Sequence, residues 1–191
     1  VVLEYLAYRL HNTMTPLSFR VRSVRVTYHD TDGGGRDDTR WGFLIEDNDD
    51  VAHRNHRVAL SVTNGAVDAA GLDPEAATRA ALFEFMIANL DWDMVSGHVG
   101  DPCCHNNKLM AASAAARTGV VPVPYDFDYS GLVSAPYSIP PEGIHIASVR
   151  TRYFRGYCRF NDQLPGVIAD VRARRAAFYS VIDNEQRLDA G

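Results

Sequence analysis

The spacing of apolar residues along this chain changes from helical to alternating and back, and each change marks an element. In VLEYLAYRLHN, residues 2–12, Leu3, Leu6, Ala7 and Leu10 recur at helical spacing, and NTMTP stops the helix before Pro16. The period then drops to two in FRVRSVRVTYHD. Val24, Val26 and Tyr28 fall on one face and Arg25 and Thr27 on the other, which predicts a half-buried strand. DTDGGGRDD turns the chain into RWGFLIED, so residues 20–46 predict an antiparallel hairpin with a long loop. Residues 47–72 read as polar and irregular, with a short helix near Val51–Arg54.

Helical spacing returns in LDPEAATRAALFEFMIANLD. Asp73 is placed to cap, Pro74 fits the first helical position, and Glu75 suits the positive end of the helix. Ala77, Ala81, Leu82, Phe85 and Met86 form the expected apolar stripe, and the helix is expected to end around Asn89. NKLMAAS reads as a short strand or turn. VVPVPYDFD reads as an extended segment that its prolines confine to a sheet edge, and SAPYSIPPEGI reads as loop. A last helix is predicted from about Leu164 to Asp183. It turns Val167, Ile168, Val171, Ala176, Phe178 and Val181 inward and Arg172, Arg174 and Arg175 outward. The order is that of an α+β fold without internal repeat or linker.

Composition narrows the function classes. A chain of 191 residues, 46% hydrophobic, suffices for one substantial core. A formal charge of −5 argues against a broad nucleic-acid or membrane surface, which needs concentrated Lys and Arg, and no apolar run approaches membrane-spanning length. Lys108 is the single lysine; the remaining positive charge is arginine, suited to forked contacts with carboxylate or phosphate. VVLEYLAYRLHN lacks the basic start of a signal peptide, and the chain begins without Met, so an N-terminally truncated piece is the expectation and the compartment stays open. Three cysteines cannot all pair, and a bond between the adjacent Cys103 and Cys104 is expected to be too strained to form.

The candidate chemistry gathers in GHVGDPCCHNNKLM and VPVPYDFDYSG. Asp91 follows an amphipathic helix, Asn106 lies in a loop, and Asp126 and Asp128 end an extended segment. Phosphoryl transfer needs such an ordered set. One carboxylate orients the acceptor hydroxyl, while an Asn oxygen and a second carboxylate hold Mg²⁺ against the phosphates.

NLDWD, HNNKL and VPYDFDYSG together resemble the catalytic core of the CotH-type spore-coat kinases and, more remotely, the HipA-type kinases. In those families an Asp, an Asn opening N-x-x-L, and an Asp in a [YW]-D-[FYV] context recur in this order. LEYLAYRLHN and RWGFLIED are similar to the family's helix and to its strand running into the nucleotide hinge, which brings in Glu46. The resemblance spans roughly residues 2–131. It implies a protein-kinase-like α+β domain over 1–191, with residues 1–46 part of the antiparallel sheet lobe and hinge and 47–191 the helical lobe. By the same resemblance Asp91 is the catalytic Asp, Glu46, Asn106 and Asp126 bind nucleotide, Asn106, Asp126 and Asp128 hold Mg²⁺ or Mn²⁺, ATP is the donor, and a hydroxyl-bearing protein or small molecule is the acceptor. Glu4 would face a phosphate-binding lysine. The sequence departs from the pattern in three ways: the interval from Asp91 to Asn106 is long, no glycine-rich phosphate loop is present, and no lysine lies on an early strand.

Plainer readings stand beside this one. Asp91 and Asp93 also suit an ordinary loop, and Asp126 and Asp128 a turn before Gly131. His98, Cys103, Cys104 and His105 could gather Zn²⁺, though their spacing matches no common zinc module. A metal-dependent hydrolase built on Asp91, His105, Asp126 and Asp128 and a non-catalytic kinase-like binding domain are the alternatives. The arginines of SVRTRYFRGYCR suit either phosphate binding or surface ion pairs.

Overall fold

A computed structural model describes residues 1–62, 66–98 and 100–188. Helix α1, Val2–Met14, buries Tyr5, Leu6, Ala7, Tyr8, Leu10, His11 and Met14. It runs one half-turn further than expected and ends at Thr15, which the following Pro16 holds extended. Leu3, expected on the inner stripe, is exposed because Tyr5 and Tyr8 take that place.

Strands β1, Val21–Tyr28, and β2, Asp38–Ile45, form the antiparallel hairpin. Its packed face is the opposite of the one expected. Phe43 rests on the rings of Tyr5 and Tyr8 at 6.1 and 5.6 Å, and its register partner Ser23 shares that face. Val24 and Val26 therefore lie on the far side, and Tyr28 is 60% exposed. One large aromatic ring against a helix outweighs two valines in apolar area removed from water.

Helix α2 covers Asn48–Arg54, with the Asp47 side chain accepting the Asp49 N–H at its start. The central sheet follows in the order β3, β4, β5, from Val58–Leu60, Asn107–Ala111 and Val121–Pro124, all antiparallel. β5 takes the edge, where Pro122 and Pro124 cost no ladder bond that a central strand would need.

Helix α3, Pro74–Met86, has the expected start, with the Asp73 carboxylate accepting the Ala76 N–H at 2.9 Å and Pro74 in the first turn. Its buried face is centred on Ala77, Ala80, Ala81, Phe83 and Glu84, one step round from the expected stripe, so that Leu82, Phe85 and Met86 are only half-buried. The expected C-terminal helix is two: α4, Leu164–Ala173, and α5, Arg175–Asp183. α4 packs on α3 and α5 on α1, two supports that a single straight rod would not reach together. Val167 and Phe178 are buried as expected, while Ala176 is exposed.

The main core joins α1, α3, β5 and α5 through Tyr8, Met14, Phe83, Val121, Val123, Phe127 and Phe178. A second cluster, around Trp92, Met94, Leu109 and Phe160, lies beneath the loop after α3. Cys103 and Cys104 are joined by a disulfide, against expectation. Cys104 is buried, and the two sulfurs are spent on each other. Among the described residues no helix is long and apolar enough to cross a membrane.

Candidate functional site

Three elements converge at one end of the central sheet. α3 ends at Ile87 and Ala88, whose carbonyls accept the N–H groups of Leu132 and Gly131 at 2.9 Å each. The chain after α3 is thereby tied to the chain after β5. Gly131 is required there, since a Cβ would run into the Val149 carbonyl and the Ala88 side chain. The pairing of Asn107 with Pro124 then sets Asn106 opposite Tyr125, whose N–H donates to the Asn106 carbonyl at 3.0 Å. Asp126 follows directly.

Asp91 is the hub of this arrangement. Its Oδ1 lies 2.8 Å from His105 Nε2, and its Oδ2 accepts from Asn106 Nδ2 at 3.0 Å. The same Nδ2 donates to the Asp91 carbonyl at 2.7 Å. Asp91 is itself held by Asn89, whose Oδ1 accepts the Asp91 N–H at 3.1 Å. The Asp93 N–H donates to the His105 carbonyl at 2.9 Å, so the chain on both sides of the long interval closes on itself. Val99, within that interval, lies outside the described residues.

Asn106 and Asp126 both have left-handed backbones, with φ of 52° and 60°. Asn and Asp tolerate that region better than other side chains do, and outliers of this kind cluster where the surrounding structure fixes a functional geometry. Asp126 is held from beneath by Tyr8, whose hydroxyl oxygen accepts its N–H at 2.8 Å. Asp126 is exposed overall, but partial desolvation of its carboxyl, then the carboxylates of Asp128 and Asp91, push that carboxyl above the usual range. Glu4, one turn before Tyr8 on α1, is pushed up to about 7 by burial and by Asp126 and Asp128. Asp128 accepts from the Tyr137 hydroxyl at 2.8 Å.

Of the residues singled out in the sequence, Asp91 and Asn106 are thus bonded to each other, Asp126 feels the charges of Asp91 and Asp128, and Glu4 those of Asp126 and Asp128. Glu46 stands apart. Burial alone would raise its carboxyl, but hydrogen bonds from Arg54 Nε and Nη2 at 2.7 and 2.9 Å, and from the Arg20 N–H, hold it low. Lys108 lies over the Tyr125 ring at 4.6 Å. His98 packs on His105 with ring centroids 4.0 Å apart. Among the described residues no three His, Cys, Asp or Glu side chains form a ready-made metal cluster.

Beside Asp91 a cleft of about 140 Å³ opens between Leu90, Tyr129, Pro140, Pro141 and Val149. Tyr8 is the part that sequence reasoning missed, while His105 was grouped with Asp91 only in the hydrolase alternative. The four-residue step from Glu4 to Tyr8 on one helix face was the available signal for Tyr8. Comparison with known protein families, with characterised proteins and with solved structures finds no match.

Proposed function

We propose that this protein is a kinase-like phosphotransferase that uses Mg²⁺ and ATP to phosphorylate a hydroxyl acceptor. The observation that carries the reading is the bonding of Asn106 to Asp91, with Asp126 close enough to feel the Asp91 carboxylate. Phosphoryl transfer is catalysed mainly by positioning and charge stabilisation, so such a set of oriented oxygen groups is what it needs. The motif resemblance to CotH-type and HipA-type kinases supports the same assignment of parts.

Asp91 is the group that orients the acceptor hydroxyl and takes its proton as the new oxygen–phosphorus bond forms and the bond to ADP breaks. His105 and Asn106, one on each carboxylate oxygen, fix its direction. Asn106, Asp126 and Asp128 would hold the metal. Asn106 fits, because its Nδ2 is committed to Asp91 and its Oδ1 is the atom left for a hard cation. Asp126 fits because its carboxyl, held at a left-handed turn beside Asn106, feels the charges of Asp128 and Asp91, which a divalent cation would offset. When bound, Mg²⁺ or Mn²⁺ supplies charge neutralisation at the phosphates. Glu46, fixed by Arg54, closes the segment that the resemblance identifies as the nucleotide hinge.

The His105 contact to Asp91 beside Asp126 also suits a metal-dependent hydrolase, and nucleotide separates the two. The test is calorimetric ATP binding with and without Mg²⁺ on the full-length protein, together with transfer from labelled ATP. Asp126→Asn is expected to weaken Mg²⁺-dependent binding. Asp91→Asn is expected to leave binding intact and slow turnover by about 10²–10⁴-fold. A wild-type protein that binds no nucleotide overturns the phosphotransferase reading in favour of the hydrolase or a non-catalytic domain.

A further inference from the structure

Arg155 lies 64 positions after Asp91 in the chain, in an irregular segment ahead of α4. One of its guanidinium nitrogens, Nη1, donates to two carbonyls, Leu90 O at 2.8 Å and Trp92 O at 3.0 Å. These are the carbonyls of the residues immediately before and after Asp91. The guanidinium also lies over the Trp92 indole, 4.9 Å from the ring centroid, and that indole donates its own Nε1–H to Asn89 O at 3.1 Å. A single cation therefore ties the peptide just before Asp91 to the one just after Trp92, spanning Asp91 without a hydrogen bond to its carboxylate.

We propose that Arg155 is the positioning residue that aims Asp91. The proposal rests on the phosphotransferase reading for its catalytic consequence, but its geometric content is independent of it. With Leu90 O and Trp92 O tied to one guanidinium, and the Asp91 carbonyl between them held by Asn106 Nδ2, the short span that carries Asp91 is fixed and its carboxylate meets His105 and Asn106. Nothing else among the described contacts holds both of these carbonyls. Asn89 fixes the Asp91 N–H from one side only. Hydrogen bonds from a charged donor are stronger than neutral ones, which suits a clamp on a loop that carries no regular secondary structure. Glu84, fully buried, lies near enough to feel the charge of the Arg155 guanidinium. The arginine motif SVRTRYFRGYCR, read from sequence as phosphate-binding or surface-pairing, thus has at least one member facing the catalytic loop from behind.

Arg155→Met keeps the apolar stem on Trp92 and removes both donors, and Arg155→Lys restores a cationic donor. Both are to be compared with wild type in full-length protein by steady-state transfer kinetics, Mg²⁺-dependent ATP binding, thermal melting, and the NMR signals of the Asn106 side-chain amide. Arg155→Met is expected to lower kcat by about 10²-fold, the cost of a small misplacement of a catalytic group, while KM for ATP stays within twofold. Arg155→Lys is expected to recover most of that loss. In Arg155→Met the Asn106 amide protons should exchange faster, because their acceptor, Asp91, is no longer held still. Unchanged kcat and unchanged Asn106 exchange overturn the proposal. So does a parallel loss of ATP affinity and melting temperature without rescue by Lys, which marks a merely structural arginine. If wild type transfers no phosphate, the phosphotransferase reading falls by itself, and the Asn106 exchange rates alone decide whether Arg155 holds Asp91.

Discussion

Tyr8 does two jobs with one side chain. Its ring lies 4.7 Å from that of Phe127 in the main core, and its hydroxyl accepts the Asp126 N–H. Burial, first of all, pushes that hydroxyl well above the ordinary tyrosine range, so it stays neutral at any working pH. Tyr8→Phe keeps the ring and strands the N–H. Asp126 is an exposed residue, so the loss is that of one ordinary hydrogen bond, about 0.5–1.5 kcal/mol, and a urea denaturation midpoint that does not fall would show that water replaces the hydroxyl in full. Because Asp126 has a left-handed backbone, the same substitution is expected to weaken Mg²⁺-dependent nucleotide binding by loosening the residue that this hydroxyl pins. The preference of Asp and Asn for that backbone is local chemistry, but the hydroxyl that selects it comes from 118 residues away.

At the scale of elements, α3 is the one whose start was written most fully in the chain. Asp73, Pro74 and Glu75 supply a cap, a preset first residue and a charge matched to the helix dipole. Asp73→Ala is expected to destabilise the protein by about 1 kcal/mol, and Asp73→Asn by much less, measured by denaturant unfolding; equal losses would mean that charge rather than capping matters. The helix's inner face was harder to read, because alanines at 77, 80 and 81 carry little directional signal and Glu84, a charged residue by type, is buried beside them. The hairpin has the same lesson. Its strands and register follow from alternation and turn residues, but alternation is symmetric between faces, and only Tyr5 and Tyr8 on α1 decide that Phe43 points inward.

For the molecule as a whole, two buried titratable groups pull stability in opposite directions as pH changes. His11 is stacked on Phe83 in the main core, and burial, with Arg79 nearby, pushes it down to about 3 from an ordinary 6.5. Folded protein therefore binds fewer protons here than unfolded protein between these values. The His11 contribution is fully present above pH 6.5 and is lost as pH falls toward 3, by up to about 1.4 kcal/mol per pH unit. Glu84 is the reverse case. Burial, chiefly, raises it well above 4.5, so its contribution is present below pH 4.5 and is lost as pH rises toward its folded value. Between pH 4.5 and 6.5 the two oppose each other. His11→Phe should make stability fall more steeply with rising pH in that window, and Glu84→Gln should make it rise more steeply, both read from urea midpoints at a series of pH values. A wild-type slope unmoved by either substitution would mean that water reaches one or both groups.

Local chemistry along the chain was enough to determine the α+β order, the hairpin, the cap of α3, the edge placement of the proline-bearing strand and the short list of acids and amides that could do chemistry. Each of these depends on residues close in sequence, through side-chain period, fixed proline φ or the capping of free backbone groups. Whether Asp91, Asn106 and Asp126 meet was not written in that way, because the interval between the first two matches no local template. Tertiary structure decided it, by closing the Asp93 N–H on His105, setting β4 against β5, and tying the chain after α3 to Gly131. It also decided the division of the last helix, the face of the hairpin and the pairing of Cys103 with Cys104. All of these turn on which distant surface competes for a side chain or a carbonyl, and that competition exists only once the chain is packed.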